Sequence, residues 1–151
     1  MGAKETIVVI GFGWVGQANA LALSSLGYPV HYYDTGTPVL HYWKERRLLY
    51  ERISRLQSPL EKDGVNTRYI ISVGDRVSPE GVQDISLILK ASEALYGTLG
   101  TVILRSTVLP EHLAQIRFDY YLPEFLHERY AIEECLNPLL VVIGQNSTAK
   151  P

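Results

Sequence analysis

Hydrophobic positions along the chain fall into short blocks that alternate between strand-like runs and helix-like spacing. Ile7-Val8-Val9-Ile10 is a continuous β-branched run, the pattern of a strand covered on both faces in a parallel sheet. Residues 15–26 carry Ala18, Ala20, Leu21, Ala22, Leu23 and Leu26, small and apolar side chains that suit a helix lying close to a sheet, and Gly27 is a natural stop. Residues 30–33 read as a second strand ending at Asp34, and residues 35–38 as a turn. Helical spacing covers residues 39–56, with Leu40, Trp43, Leu48, Ile53 and Leu56 available for burial. Loop 58–66 leads to a third strand, residues 68–73, closed by Gly74. A polar break at Ser78-Pro79-Glu80-Gly81 precedes a helix over residues 84–96, then a strand over 101–104 and a short helix over 110–115 with Pro110 in its first turn. Residues 118–122 and 139–143 are the last two strands, with a helix over 126–136 between them. Strands thus alternate with helices from end to end. That order predicts a doubly wound, mainly parallel sheet in three α/β/α layers, one domain over residues 1–151 with a core of about 5–144 and a tail at 145–151.

The turn after the first strand sharpens this picture. Gly11-Phe12-Gly13-Trp14-Val15-Gly16 has the G-x-G-x-x-G spacing, and it follows a strand and opens a helix. In that arrangement the first glycine permits a tight turn, the second lets backbone approach a pyrophosphate, and the third lets the helix sit against the strand. The helix N-terminus then offers free N–H groups and a partial positive charge to phosphates. Asp34 closes the second strand 23 positions after Gly11, near the separation of about 20 expected of an acid that binds the adenosine ribose. The unit is therefore Rossmann-type. A carboxylate there accepts hydrogen bonds from ribose hydroxyls and repels a 2′-phosphate, which favours NAD over NADP. Two blander readings stand beside this one: Asp34 caps the turn after its strand, or the loop belongs to a Rossmann domain that has lost its ligand.

Composition narrows the partners. The 151 residues carry a net charge of −2, which argues against a general nucleic-acid binder, and the Lys44, Arg46, Arg47 cluster is interleaved with Glu45 and Glu51 as on a solvated helix face. One cysteine, Cys135, leaves no internal disulfide and fits a reducing, cytoplasmic setting, and the four histidines show no ligand spacing, so no metal is expected. The apolar run at residues 7–10 is far shorter than a membrane span or a signal sequence, so no membrane is expected.

Several blocks resemble the N-terminal domain of the UDP-glucose and GDP-mannose dehydrogenase family. The opening Val9-Ile10-Gly11-Phe12-Gly13-Trp14-Val15-Gly16 is similar to that family's phosphate loop, and Ile71-Ser72-Val73-Gly74 followed by Asp84-Ile85-Ser86 is similar to its third block. Arg105-Ser106-Thr107-Val108 with Pro110 resembles its S-T-V-P-P turn. Pro123-Glu124-Phe125-Leu126-His127-Glu128, with Ala131-Ile132-Glu133 and Pro138, resembles its N-P-E-F-L-R-E-G-x-A block. The resemblance implies oxidation of a nucleotide sugar's C6 alcohol with NAD as cofactor. It implies that Thr107 lies beside the nicotinamide and helps hold a water, that Glu124 supplies carboxylate chemistry near the sugar, and that Glu128 lines the nicotinamide pocket. On this basis the catalytic candidates are Thr107, Glu124 and Glu128. The cofactor-binding candidates are Gly11, Gly13, Trp14, Val15, Gly16, Asp34, Thr35, Gly74, Ser106, Thr107 and Glu128. Read as bare chemistry, Glu124 and Glu128 are also compatible with two exposed acids near the start of a helix.

The departures matter too. The family's nucleophilic cysteine, its lysine and its substrate half would follow residue 144, and Cys135 does not match the nucleophile; it reads as a small packed residue. Asp75-Arg76 replaces T-P after Val73-Gly74, Leu122 stands where the family has asparagine, and Arg129 where it has glycine. The interval from Asp34 to Arg68 is short for a helix, a strand and a loop, so one sheet strand is expected to be missing. The expectation is a dinucleotide-binding domain that does not complete the oxidation alone. Its rivals are one subunit of a split dehydrogenase, which acts on a nucleotide sugar once a partner chain joins it, and a Rossmann domain kept for assembly with itself or another protein.

Overall fold

The computed structural model of the chain describes residues 5–74, 76–122 and 144–145. Its main sheet contains β1 (Thr6–Ile10), β2 (Val30–Tyr33), β3 (Ile53–Arg55), β4 (Thr67–Ile71), β7 (Thr101–Leu104), β8 (Tyr120–Tyr121) and β9 (Gly144–Gln145). A separate two-stranded hairpin joins β5 (Arg76–Val77) to β6 (Gln83–Asp84). The helices are α1 (Trp14–Ser25), α2 (Trp43–Tyr50), α3 (Ser86–Ala94) and α4 (Pro110–Leu113). Strand order is β3-β2-β1-β4-β7-β8-β9, and every pairing is parallel except β8 with β9. The chain therefore winds outward from β1 to β3, then restarts beside β1 at β4. That reversal places a crevice over the carboxyl ends of β1 and β4, where ligands of open α/β sheets bind.

Alternation along the central strands divides the interior into two layers. Ile7 and Val9 face one side with Ala18, Leu21, Val30, Tyr42 and Tyr50, under α1 and α2. Val8 and Ile10 face the other with Tyr69, Ile71, Ile88, Leu95, Val102 and Leu104, under α3. All four β1 residues from Ile7 to Ile10 are buried, as a strand covered on both faces requires. Among the described residues no helix is long and apolar enough to cross a membrane.

Two expectations fail in the same segment. Residues 39–56 do not form one helix: α2 has only eight residues, is broken at Arg46 (φ −131°), and gives way to β3. The strand expected to be missing is β3, paired in parallel with β2 through Val30–Ile53 and Tyr32–Arg55. The physical reason is tertiary. Gln17, fully buried on α1, donates to the carbonyls of Phe12 (2.7 Å) and Val39 (2.6 Å), and its Oε1 accepts from the His41 amide (2.9 Å) and the Tyr50 hydroxyl (2.6 Å). These bonds fix residues 39–41 outside a helix and leave just enough chain for a short strand, so local spacing loses to a buried polar hub. Smaller differences are shifts of one or two residues at the ends of α1, β4, α3, α4 and β8. The β5–β6 hairpin arises where the sequence shows only its turn, at Gly81 (φ +82°). The strand expected over 139–143 and the helix over 126–136 lie outside the described residues.

At the opposite edge of the sheet, Asp63 ties the loop before β4 to the turn before β7. Its carboxylate accepts from the Tyr69 hydroxyl (2.9 Å), the Thr98 hydroxyl and the amides of Leu99 (3.0 Å) and Gly100 (3.3 Å). Burial opposes ionisation, but these donors together outweigh it and hold the carboxyl below its ordinary value of 3.8. Burial also pushes the Tyr69 hydroxyl up to about 12, so it stays a donor. A depressed acid stabilises the fold above its unfolded value and loses that contribution as pH falls through the folded value. Stability should therefore drop as pH is lowered below 3.8. Asp63→Ala should lower unfolding free energy at pH 7 by about 1–3 kcal/mol and flatten that acid limb, as followed by urea denaturation at several pH values.

Candidate functional site

The site starts where β1 ends. Gly11 has φ +92°, a left-handed conformation, and a Cβ there would stand 2.7 Å from Val73 Cγ1 and 2.9 Å from the Val73 nitrogen. Gly16 is tighter: a Cβ would meet the Gly11 carbonyl oxygen at 2.0 Å. Both glycines are thus demanded by the protein's own packing. Gly13 is different. It has φ −86°, which any residue adopts, and among the described residues no atom beyond its own chain neighbours lies within 4 Å of where its Cβ would stand. Its open side faces the crevice, lining both of the hollows that meet there.

Gly13 is also the N-cap of α1, and among the described residues no side chain caps that end, so the first amides of the helix are left for another acceptor. Phe12 fixes the loop from behind, buried and stacked on Tyr32 at 3.9 Å between ring centroids. Trp14 stacks on His41 at 3.9 Å and keeps 38% of its surface exposed.

Asp34 meets the loop from β2. Its Oδ2 accepts the Phe12 amide at 2.8 Å and its Oδ1 accepts the Gly36 amide at 2.9 Å. The capping role expected as an alternative is therefore real. It does not use up the group, because each carboxylate oxygen retains capacity for a further donor such as a ribose hydroxyl.

Three adjoining hollows form one groove along the carboxyl edge of the sheet. The outer one, about 440 Å³, is lined by Tyr33, Asp34, Thr35, Arg55, Leu56 and Gln57. The middle one, about 430 Å³, shares Tyr33, Asp34 and Thr35 with it and adds Gly11, Phe12, Gly13, Gly74, Leu87 and Lys90. The inner one, about 210 Å³, shares Gly13 and Gly74 and continues over Trp14, Val15, Arg105, Ser106 and Thr107. From β3 to β7 this crosses four strand spacings, about 19 Å at ~4.8 Å each. Ser72 lines the middle and inner hollows, and its buried hydroxyl has no hydrogen-bond partner among the described residues.

At the inner end the loop after β7 is pinned from several sides. Ser106 donates its hydroxyl to the Val73 carbonyl (2.7 Å), Gln83 Nε2 donates to the Thr107 carbonyl (2.9 Å), and Gln83 Oε1 accepts the Leu109 amide (3.0 Å). Thr107 itself is exposed at the groove. The groove therefore brings together Gly11, Gly13, Trp14, Val15, Asp34, Thr35, Gly74, Ser106 and Thr107. Gly16 sits behind it as the helix–strand contact, and the Ser106 hydroxyl faces backbone carbonyls. Glu124 and Glu128 lie outside the described residues, as does Cys135. Sequence reasoning missed Gln17, Arg55 and Gln83; only Gln17 leaves a trace in sequence, as a polar residue on an otherwise small and apolar helix.

No family model matches the chain, and no curated protein matches it by sequence. Solved structures do. A UDP-glucose dehydrogenase from Pyrobaculum islandicum matches over 96% of this chain with 24% identity and a TM-score of 0.76. The chain has a Rossmann-type fold. A GDP-mannose dehydrogenase from Pseudomonas aeruginosa, solved as a ternary complex, matches over 93% with 23% identity and a TM-score of 0.71. A more distant match is an imine reductase variant from Myxococcus stipitatus solved with NAD+, at 14% identity and a TM-score of 0.52 over 85% of the chain. The chain spans about 41% of the length of the two nucleotide-sugar dehydrogenases.

The glycines of this loop make separable predictions. Gly16→Ala should destabilise by about 1–3 kcal/mol or prevent folding, since backbone must move to admit the methyl group. Gly13→Ala should leave the melting temperature unchanged or slightly raised, because its backbone suits alanine and its surroundings are open. Thermal denaturation of the two variants checks both.

Proposed function

We propose that the chain is a dinucleotide-binding domain that takes NAD along the groove from Asp34 to Thr107. The observation that carries this reading is Gly13, a glycine that the packing of the described residues does not require, at the groove where backbone would meet a pyrophosphate. In this reading the uncapped N-terminus of α1 holds the pyrophosphate, Asp34 and Thr35 take the adenosine ribose, and Gly74, Ser106 and Thr107 border the nicotinamide. The unpartnered Ser72 hydroxyl supplies one more polar group to the middle of the groove. NAD brings hydride transfer when bound; the residues described here bind and orient it.

We further propose that the domain serves a nucleotide-sugar oxidation. In that role Thr107, Glu124 and Glu128 work near the reacting carbon, and residues beyond this domain or on a partner chain hold the nucleotide sugar and supply the reactive cysteine and lysine. The support is the fold shared with UDP-glucose and GDP-mannose dehydrogenases, together with the sequence resemblance of the Ser106–Thr107 and Pro123–Glu128 blocks.

Isothermal titration of NAD and NADH into the purified protein tests the first proposal, and saturable binding at micromolar to low millimolar cofactor is the expected result. Absence of heat at millimolar cofactor would sink it. Gly13→Ala should weaken NAD at least about tenfold while the fold survives. Asp34→Ala should weaken NAD by about 1–3 kcal/mol and also reduce stability, because the Phe12 amide loses its acceptor. Unchanged affinity in Asp34→Ala would restrict the acid to capping.

A further inference from the structure

The outer hollow holds a cation that the G-x-G-x-x-G pattern does not anticipate. Arg55, the last residue of β3, is exposed, and its guanidinium carbon lies 5.8 Å from the centre of the Tyr32 ring. Its Nη2 donates to the carbonyls of Asp34 (2.9 Å) and Gly36 (2.5 Å), the two residues that flank Thr35. A guanidinium carries five N–H donors in a rigid fork. Both of these bonds come from one nitrogen, so the other two nitrogens keep their donors. No carboxylate among the described residues forms an ion pair with it.

Asp34, the group expected to repel a 2′-phosphate, also holds backbone. Each of its oxygens accepts a backbone amide, from Phe12 and from Gly36. The ribose subsite therefore has an acid turned partly toward the protein and a cation with spare donors on the same turn. Beside them lies a hollow of about 440 Å³ lined by both. Planar, bidentate recognition of phosphate is what a guanidinium does best. We propose that Arg55 is a second determinant at the ribose 2′ position and that the groove admits the 2′-phosphate of NADP as well as NAD, with that phosphate against the Arg55 fork. The inference rests on the reading of the groove as a dinucleotide site.

Titrating NAD and NADP into the full chain and its Arg55→Met and Arg55→Lys variants tests it, with adenosine 2′,5′-bisphosphate and adenosine 5′-monophosphate as competitors that report the ribose end alone. The unaltered chain should bind NADP within about tenfold of NAD. Arg55→Met should cost NADP and the bisphosphate at least about tenfold while changing NAD and the monophosphate less than about threefold. Arg55→Lys should retain part of the NADP affinity as a point charge without the fork. Three results overturn the proposal. If NAD binds and NADP does not, Arg55 is no 2′ determinant, yet the groove reading survives. If Arg55→Met weakens both cofactors equally, with or without loss of melting temperature, Arg55 only braces the turn. If neither dinucleotide binds the unaltered chain, the groove reading falls and this inference falls with it.

Discussion

The near-contact between α1 and β1 at Gly16 and Gly11 governs the arrangement of everything above the sheet. With a Cβ at Gly16 only 2.0 Å from the Gly11 carbonyl, the helix can start this close to the strand only because Gly16 lacks a side chain, while the turn at Gly11 lies against Val73 after β4. That closeness aims the α1 N-terminus at the crevice between β1 and β4. It also buries α1 so thoroughly that Gly16, Gln17, Ala18, Asn19, Ala20, Leu21 and Ala22 are all inside. A helix packed on that many sides tolerates a polar residue only if its bonds are satisfied, and Gln17 meets that condition by binding the segment after β2. One steric constraint thus leads through a buried amide to the short α2 and to β3.

The groove inherits its floor from these packing events. Asp34 and Phe12 join β2 to the glycine loop, Arg55 braces the turn at residues 34–36 from β3, and Ser106 and Gln83 hold the far wall. Most polar groups here are spent on holding backbone. What remains open is the space over Gly13, the first amides of α1 and the second lone pairs of Asp34, which is the chemistry a pyrophosphate and a ribose require.

The layer order was legible in the sequence because β1 is an uninterrupted apolar run and the glycine spacing follows it directly. The tight turn at Gly11 and the helix–strand contact at Gly16 were legible from the spacing, but only coordinates separate these sterically fixed positions from Gly13, whose Cβ position meets nothing among the described residues beyond its chain neighbours. Residues 39–56 were misread because Leu40, Trp43, Leu48, Ile53 and Leu56 fit a helical period, while the bonds that decide their conformation come from Gln17, more than twenty positions away. Arg55 was illegible for a related reason. Its significance depends on β3 lying next to β2, and β3 was not expected at all.

The central claim is that a dinucleotide lies along the groove with its pyrophosphate over Gly13. The most direct measurement is backbone amide NMR of the 15N-labelled chain during titration with NAD. The account predicts saturable shifts concentrated at residues 11–16, at Asp34, Thr35 and Gly36, and at Gly74, Ser106 and Thr107. Shifts absent at millimolar NAD, or confined to residues away from the glycine loop, would contradict it.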